Sequence, residues 1–238
     1  ALKILKTSLA DEKAAFRFSI EQSTLATLNH PYVAAAHAAG ESEEGFPYVV
    51  IEYVDGLPIT VYCDDRELSL RDRLNLFCLV CEGVQHAHYK GIIHRDLKPS
   101  NILIQEIDHR PQPKIIDFGI AKTVVPQSLS SRHATRDCEL LGTLEYMSPE
   151  QLSGQQQTVD TRSDIYALGV VLHELLTGRV PFAEQLAACP SLEHMLSMIR
   201  TQLPPKASDS LPTGPSAATT AASRSTTLSE LTRTLRKD

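Results

Sequence analysis

His94-Arg95-Asp96-Leu97-Lys98-Pro99-Ser100-Asn101 is the most informative stretch of the chain. It lies between the apolar runs Gly91-Ile92-Ile93 and Ile102-Leu103-Ile104, so it reads as a polar loop between two buried segments. An Asp, a Lys and an Asn at steps of two and three can all be aimed at one phosphate-sized target. The carboxylate can accept a proton from a hydroxyl. The ammonium can neutralise a transferring phosphoryl group, and the amide oxygen is a hard ligand suited to magnesium. A second signal, Asp117-Phe118-Gly119, follows the strand-like Lys114-Ile115-Ile116. By itself it reads as a strand-end turn in which glycine lets the chain bend sharply. Together the two stretches are hard to reproduce by chance.

Working outward, residues 1–5 predict a short strand and residues from about 11 to 28 a helix that Pro31 ends, since proline disfavours helix in the residue before it. Apolar runs at 32–38 and 46–53 predict strands around the turn Gly40-Glu41-Ser42-Glu43-Glu44-Gly45. A long helix is expected over about 70–89, stopped by Gly91. Its apolar stripe reads Leu70, Leu74, Phe77, Cys81, Val84, His88, which assigns Cys81 to core packing rather than metal or redox chemistry. Short strands at about 101–105 and 114–117 flank a loop with two prolines. Residues 162–177 predict a strongly apolar helix ended by Gly178, with Asp164 as a candidate N-cap. A further helix is expected at about 191–202. Strands early and helices later predict an α+β fold, a small sheet-rich lobe beside a larger helical one.

The 238 residues are 42% hydrophobic without a single Trp, so the core must be aliphatic. Lys and Arg number 23 against 29 Asp and Glu, a net charge of −6 that argues against nucleic-acid binding through the overall field. No apolar run reaches the length of a membrane span. The five cysteines show no framework spacing, which predicts reduced thiols and a cytoplasmic setting. In residues 204–228, 19 of 25 are Pro, Ser, Thr or Ala, which predicts a flexible linker or insertion, with 229–238 beginning another helix.

These motifs, with Gly142-Thr143 and Glu145-Tyr146-Met147-Ser148-Pro149-Glu150, resemble the eukaryotic-type protein kinase family, Ser/Thr branch, and most of all its bacterial, planctomycete-type members. The resemblance implies a bilobal fold over residues 1–203: a small lobe at 1–52, a hinge at 53–56 and a large lobe at 57–203. It implies ATP and Mg2+ as cofactors and a protein Ser or Thr hydroxyl as acceptor. Asp96 resembles the catalytic base and Lys98 the lysine on the γ-phosphate. Asn101 and Asp117 resemble the two magnesium ligands. Lys3 is similar to the strand lysine that contacts the α- and β-phosphates and pairs with a helix glutamate, here Glu21. A carboxylate on that helix's apolar face needs such a partner. Ile51 would line the back of the adenine pocket, backbone groups of Glu52 and Val54 would bond the ring, and Ala1 and Leu103 would sandwich it. The Asp matching Asp164 holds the catalytic-loop backbone in the family. Ser128, Ser130, Ser131, Thr135 and Thr143 are candidate phosphosites, Thr135 first, for pairing with Arg95.

The chain also departs from the family. No Gly-x-Gly-x-x-Gly loop occurs, and the Arg that pairs with the Glu matching Glu150 is not found, so both ends of the domain are expected to be cut. A parent protein with a membrane anchor is compatible with this. The competing expectation is a non-catalytic, kinase-like scaffold. A small-molecule phosphotransferase is disfavoured by the Ser-Pro-Glu anchor.

Overall fold

The computed structural model describes residues 1–4, 27–118, 144–152, 159–188 and 191–236. Strand β1 (Leu2–Ile4) pairs antiparallel with β3 (Pro47–Ile51), whose other edge carries β2 (Ala36–Glu41). The β2–β3 turn is the expected one. Ser42 N–H donates to Phe46 O at 2.8 Å, and Gly45 takes φ 80, a conformation that glycine adopts at no steric cost. The first of these strands starts at 36, not 32, because residues 32–34 pair elsewhere. Ile115 N–H donates to Tyr32 O and Ala34 N–H to Ile115 O, both at 2.9 Å.

A second antiparallel sheet has the order β4 (Leu57–Pro58), β5 (Ile102–Ile107), β6 (Arg110–Ile115). The two prolines predicted to lie in a loop, Pro111 and Pro113, are inside β6. The register explains this. Residue 115 points its N–H away from β5, toward Tyr32, so residues 111 and 113 also face away from the ladder. Proline there removes no ladder hydrogen bond. The β5–β6 turn is only Asp108-His109, both at positive φ (51° and 59°), the conformation of a tight two-residue hairpin.

The large lobe begins with α1 (Ile59–Asp65) and α2 (Leu70–Tyr89). Ser69 caps α2 by accepting from Asp72 N–H, and Gly91 ends it at φ 74. The buried face is Arg73, Leu76, Val80, Gly83, Val84 and Ala87, one residue off the predicted stripe. Leu74 is exposed and Cys81 only half-buried. Gly83 sets that rotation: a Cβ there would meet Ile115 Cδ1 at 2.8 Å, so the helix presses its glycine against β6. Burial pushes the Cys63 and Cys81 thiols up to about 11, so both stay protonated near neutral pH.

Helix α3 (Pro149–Leu152) precedes α4 (Thr161–Thr177), which Gly178 ends at φ 79 while donating to Glu174 O at 2.7 Å. The α4 cap is Asp160, which accepts from Arg162 N–H at 2.8 Å, rather than Asp164, which is buried in the first turn. Helices α5 (Ala183–Ala187) and α6 (Leu192–Thr201) form a second apolar cluster with Leu144 and Leu152.

The expected linker at 204–228 is folded. A 3-10 turn at Ala207–Asp209 leads to α7 (Pro215–Ala222) and then α8 (Leu228–Leu235), with Ala217, Ala221 and Leu231 buried. Proline opens α7 at its first turn, where it needs no N–H partner. Small side chains allow close packing here: Thr220 Cγ2 comes within 3.2 Å of where a Gly178 Cβ would stand. The segment is also anchored by Arg224, 2% exposed, which donates to the carbonyls of Leu176 (2.7 Å), Thr220 (2.9 Å) and Glu174 (3.3 Å). Composition alone misreads such a segment because the α4 carbonyls that its arginine binds lie elsewhere in the chain. Residues 11–26 of the predicted helix lie outside the described residues, and Thr27 and Leu28, which are described, are turn and coil.

Candidate active site

The loop from His94 to Asn101 is held mainly by one buried carboxylate. Asp164, 1% exposed, accepts from His94 N–H and Arg95 N–H and bonds His88 Nε2, each at 2.8 Å. A buried carboxylate is stable only when its lone pairs are satisfied in this way. This is the loop-holding role implied by resemblance. His88 received no role from the sequence, although its place on α2 faces this acid. Arg95 sits at φ 66, a strained conformation for a side chain of its size. Both of its backbone polar groups are tied down, the N–H by Asp164 and the carbonyl by Gln151 Nε2 at 2.9 Å.

Asp96, Lys98 and Asn101 do converge. Lys98 Nζ lies 3.6 Å from Asp96 Oδ2, and Asn101 Nδ2 donates to Asp96 O at 2.7 Å and Asp96 Oδ2 at 3.2 Å. Both donations fix which end of the amide is nitrogen, so Asn101 keeps its carbonyl oxygen for another partner. That oxygen and the Asp117 carboxylate are hard donors of the kind Mg2+ takes, alongside phosphate and water oxygens. The donor set therefore fits a nucleotide-bound magnesium.

Asp117 is brought to this cluster by backbone. Ile116 N–H donates to Asn101 O at 2.9 Å, and His94 Nε2 bonds Ile116 O at 2.9 Å. The His94 ring also packs on Phe118, with centroids 4.6 Å apart. Asp117 stands at φ 61 and pairs with Lys3 Nζ at 3.0 Å, both side chains about one third exposed. Lys3 and Asp117 thus meet across the two sheets. Glu21, the expected partner of Lys3, lies outside the described residues, as do Gly142, Thr143 and the candidate phosphosites Ser128, Ser130, Ser131 and Thr135.

Ile51 sits at the end of β3, where its N–H donates to Ala1 O at 2.8 Å. It lines a small apolar pocket with Leu28, Ala36, Val49, Ile115 and Phe118, open to Asp117. Glu52 N–H donates to Ala35 O at 2.8 Å, so only its carbonyl is left to face a ring. Its carboxylate takes Ala35 N–H at 3.0 Å and Lys114 Nζ at 2.9 Å. Burial pushes that carboxyl up, but these two donors outweigh it and hold it below the usual range. Val54 is buried, Ala1 is exposed, and Leu103 is half-buried in β5 opposite Pro58 and Lys114.

His94 is wholly buried, and burial holds its imidazole below the ordinary value despite the carboxylates of Asp164, Asp96 and Asp117 nearby. The neutral ring suits its contacts, Nε2 donating to Ile116 O and Nδ1 accepting from Asp96 N–H at 3.3 Å. The unfolded chain takes up this proton near pH 6.5 and the folded chain only at lower pH. Stability is therefore full above that value and falls as pH drops through it. His30 and His173, also lowered by burial, add the same sign. The urea midpoint is expected to fall between pH 7.5 and 5.5, less steeply in His94→Gln. A midpoint flat with pH would contradict this.

The anchor at Ser148-Pro149-Glu150 is also built. Ser163 Oγ donates to Glu150 Oε1 at 2.6 Å; burial pushes the Glu150 carboxyl up, but this hydroxyl, the residue's own backbone N–H and Ser148 together outweigh it and hold the carboxyl below the usual range. Tyr146 OH donates to Glu174 Oε2 at 2.6 Å.

Comparison with known proteins agrees with this geometry. The protein kinase domain model matches residues 1–236. The serine/threonine-protein kinase PknB of Mycolicibacterium smegmatis is 37% identical over 200 residues, covering 82% of this chain and 31% of that protein. PrkC of Bacillus subtilis is 40% identical over 197 residues, covering 82% and 29%. The kinase domain of Mycobacterium tuberculosis PknI superposes with a TM-score of 0.57 at 27% identity, covering 99% of this chain and 84% of that one. The chain spans less than a third of the length of these curated relatives. The match to residues 1–236 places the segment after 203 within the domain, in line with its packed helices. On its catalytic-loop geometry and these matches, the chain belongs to the protein kinase family, as a bacterial Ser/Thr-type kinase domain.

Proposed function

We propose that the protein transfers the γ-phosphate of ATP to Ser or Thr hydroxyls of a protein substrate in bacterial signalling. The observation that carries this is the convergence of Asp96, Lys98 and Asn101 on a loop tied through Ile116 to the Lys3–Asp117 pair. Asp96 serves as the base that orients the acceptor hydroxyl, and Lys98 beside it offsets charge on the moving phosphoryl group. Asn101 Oδ1 and Asp117 hold magnesium, which when bound neutralises phosphate charge. Lys3 exchanges its Asp117 contact for the α- and β-phosphates, and Glu21 orients it. Ile51, the Glu52 carbonyl, Val54, Ala1 and Leu103 take the adenine. Such a site works where ATP is abundant, which favours the cytoplasmic side for this domain. No described helix is long and apolar enough to cross a membrane. The acidic net charge favours a protein over a nucleic acid as partner.

The test is incubation with γ-labelled ATP, Mg2+ and a generic basic protein, followed by acid hydrolysis of the product. Labelled phosphoserine or phosphothreonine that disappears in Asp117→Asn is the expected result. Nucleotide binding without transfer would favour a scaffold instead, and labelled phosphotyrosine would overturn the Ser/Thr assignment.

A further inference from the structure

The peptide joining Arg95 to Asp96 aims the carboxylate of Asp96, and both its polar groups are engaged. Its N–H donates to His94 Nδ1 at 3.3 Å, and its carbonyl accepts from Gln151 Nε2 at 2.9 Å. The other end of the same amide accepts from Ser148 N–H at 3.0 Å and Ser148 Oγ at 3.2 Å. Ser148 is wholly buried, so that end has a fixed post. Gln151 itself is half-buried on α3, within the wall formed by Arg95, Asp96, Tyr146, Met147 and Asp164. Arg95 is strained at φ 66, and a strained residue persists only when its surroundings over-determine it. Asp164 supplies one restraint, on the N–H side, and Gln151 supplies the one on the carbonyl side.

We propose that Gln151 is a positioning residue that ties the Ser148-Pro149-Glu150 anchor to the peptide preceding Asp96, so that the anchor's placement sets the aim of the catalytic carboxylate. This deepens the reading of Asp96 as the base and rests on it. Gln151 touches no reacting atom. Its amide is needed because one end must donate to a carbonyl while the other accepts from Ser148. A glutamate keeps only the accepting end, and a leucine keeps neither.

The test compares wild type, Gln151→Glu and Gln151→Leu by steady-state kinetics and by amide hydrogen exchange. One lost hydrogen bond corresponds to about a tenfold effect. Both variants are expected to lose about tenfold in kcat, with the KM for ATP within twofold. Exchange at the Asp96 and Leu97 amides should quicken about tenfold, while exchange within α2 and α4 stays unchanged. Unchanged exchange at Asp96 overturns the proposal, as does full kcat in Gln151→Glu. Faster exchange across α2 and α4 also overturns it, because Gln151 would then be supporting the lobe at large. A wild type that transfers no phosphate would sink the kinase reading instead, and the exchange arm would still decide the role of Gln151.

Discussion

Asp96→Asn is expected to lower kcat by roughly 10²- to 10⁴-fold, the range for removing a positioned acid–base group. The substitution keeps the size of the side chain and an oxygen able to accept from Asn101 Nδ2, now 3.2 Å from the carboxylate. It removes the charge that faces Lys98 at 3.6 Å and the oxygen that takes the hydroxyl proton. The KM for ATP should stay within about threefold, because Lys3, Asn101 and Asp117 are untouched. The thermal midpoint should hold as well, since the loop hangs on Asp164 through the His94 and Arg95 amides, not on Asp96. Single-turnover transfer with labelled ATP measures the effect. Activity within twofold of wild type would remove Asp96 from the chemistry and with it the assigned site.

The largest stability effect is expected at Arg73, far from the chemistry. Its side chain is 1% exposed and all three of its guanidinium nitrogens are engaged. It donates to the carbonyls of Leu68 at 2.9 Å, Cys63 at 2.8 Å, Leu175 at 3.3 Å and Ser223, and it pairs with Asp64 at 2.7 Å. One residue thereby joins α1, α2, α4 and the α7–α8 connection. Arg224 lies beside it, 3.6 Å from the same Asp64 oxygen, with burial lowering its guanidinium to about 10. Arg73→Met fills most of the volume but strands several buried carbonyls and leaves Arg224 to share Asp64 alone. Asp64 is half exposed and keeps Arg224, so the cost falls on the carbonyls. Each buried acceptor left unsatisfied costs about 1–3 kcal/mol, and several together take a large part of the roughly 5–15 kcal/mol that holds a domain folded. Urea unfolding should show a sharply lower midpoint. Arg162→Met, which breaks an exposed pair with Asp160, is the control and should leave the midpoint unchanged. Equal effects at the two sites would show that the buried arginine is not a fastener.

What was legible in the chain had local causes. Asp96, Lys98 and Asn101 act together because they are two and three residues apart on one loop. The long helices α2 and α4 end where Gly91 and Gly178 can take positive φ, which no other residue adopts as cheaply. The β2–β3 turn follows from Ser42 and Gly45 in the same way.

Tertiary partners decided the rest. The buried face of α2 was set by Gly83 meeting Ile115, a contact that no spacing within the helix encodes. Pro111 and Pro113 could become strand residues because the β5–β6 register turns their backbone nitrogens away from the ladder. The segment 204–228 folded because Arg224 found carbonyls on α4. Asp160 took the cap that spacing alone offered to Asp164, while Asp164 holds the catalytic loop, roughly 70 positions earlier in sequence, as the family resemblance implied. Short-range spacing reveals which chemical groups a loop can offer. Which carboxylate, glutamine or arginine holds that loop depends on lone pairs and donors that only the packed interior, where water is excluded, brings within reach.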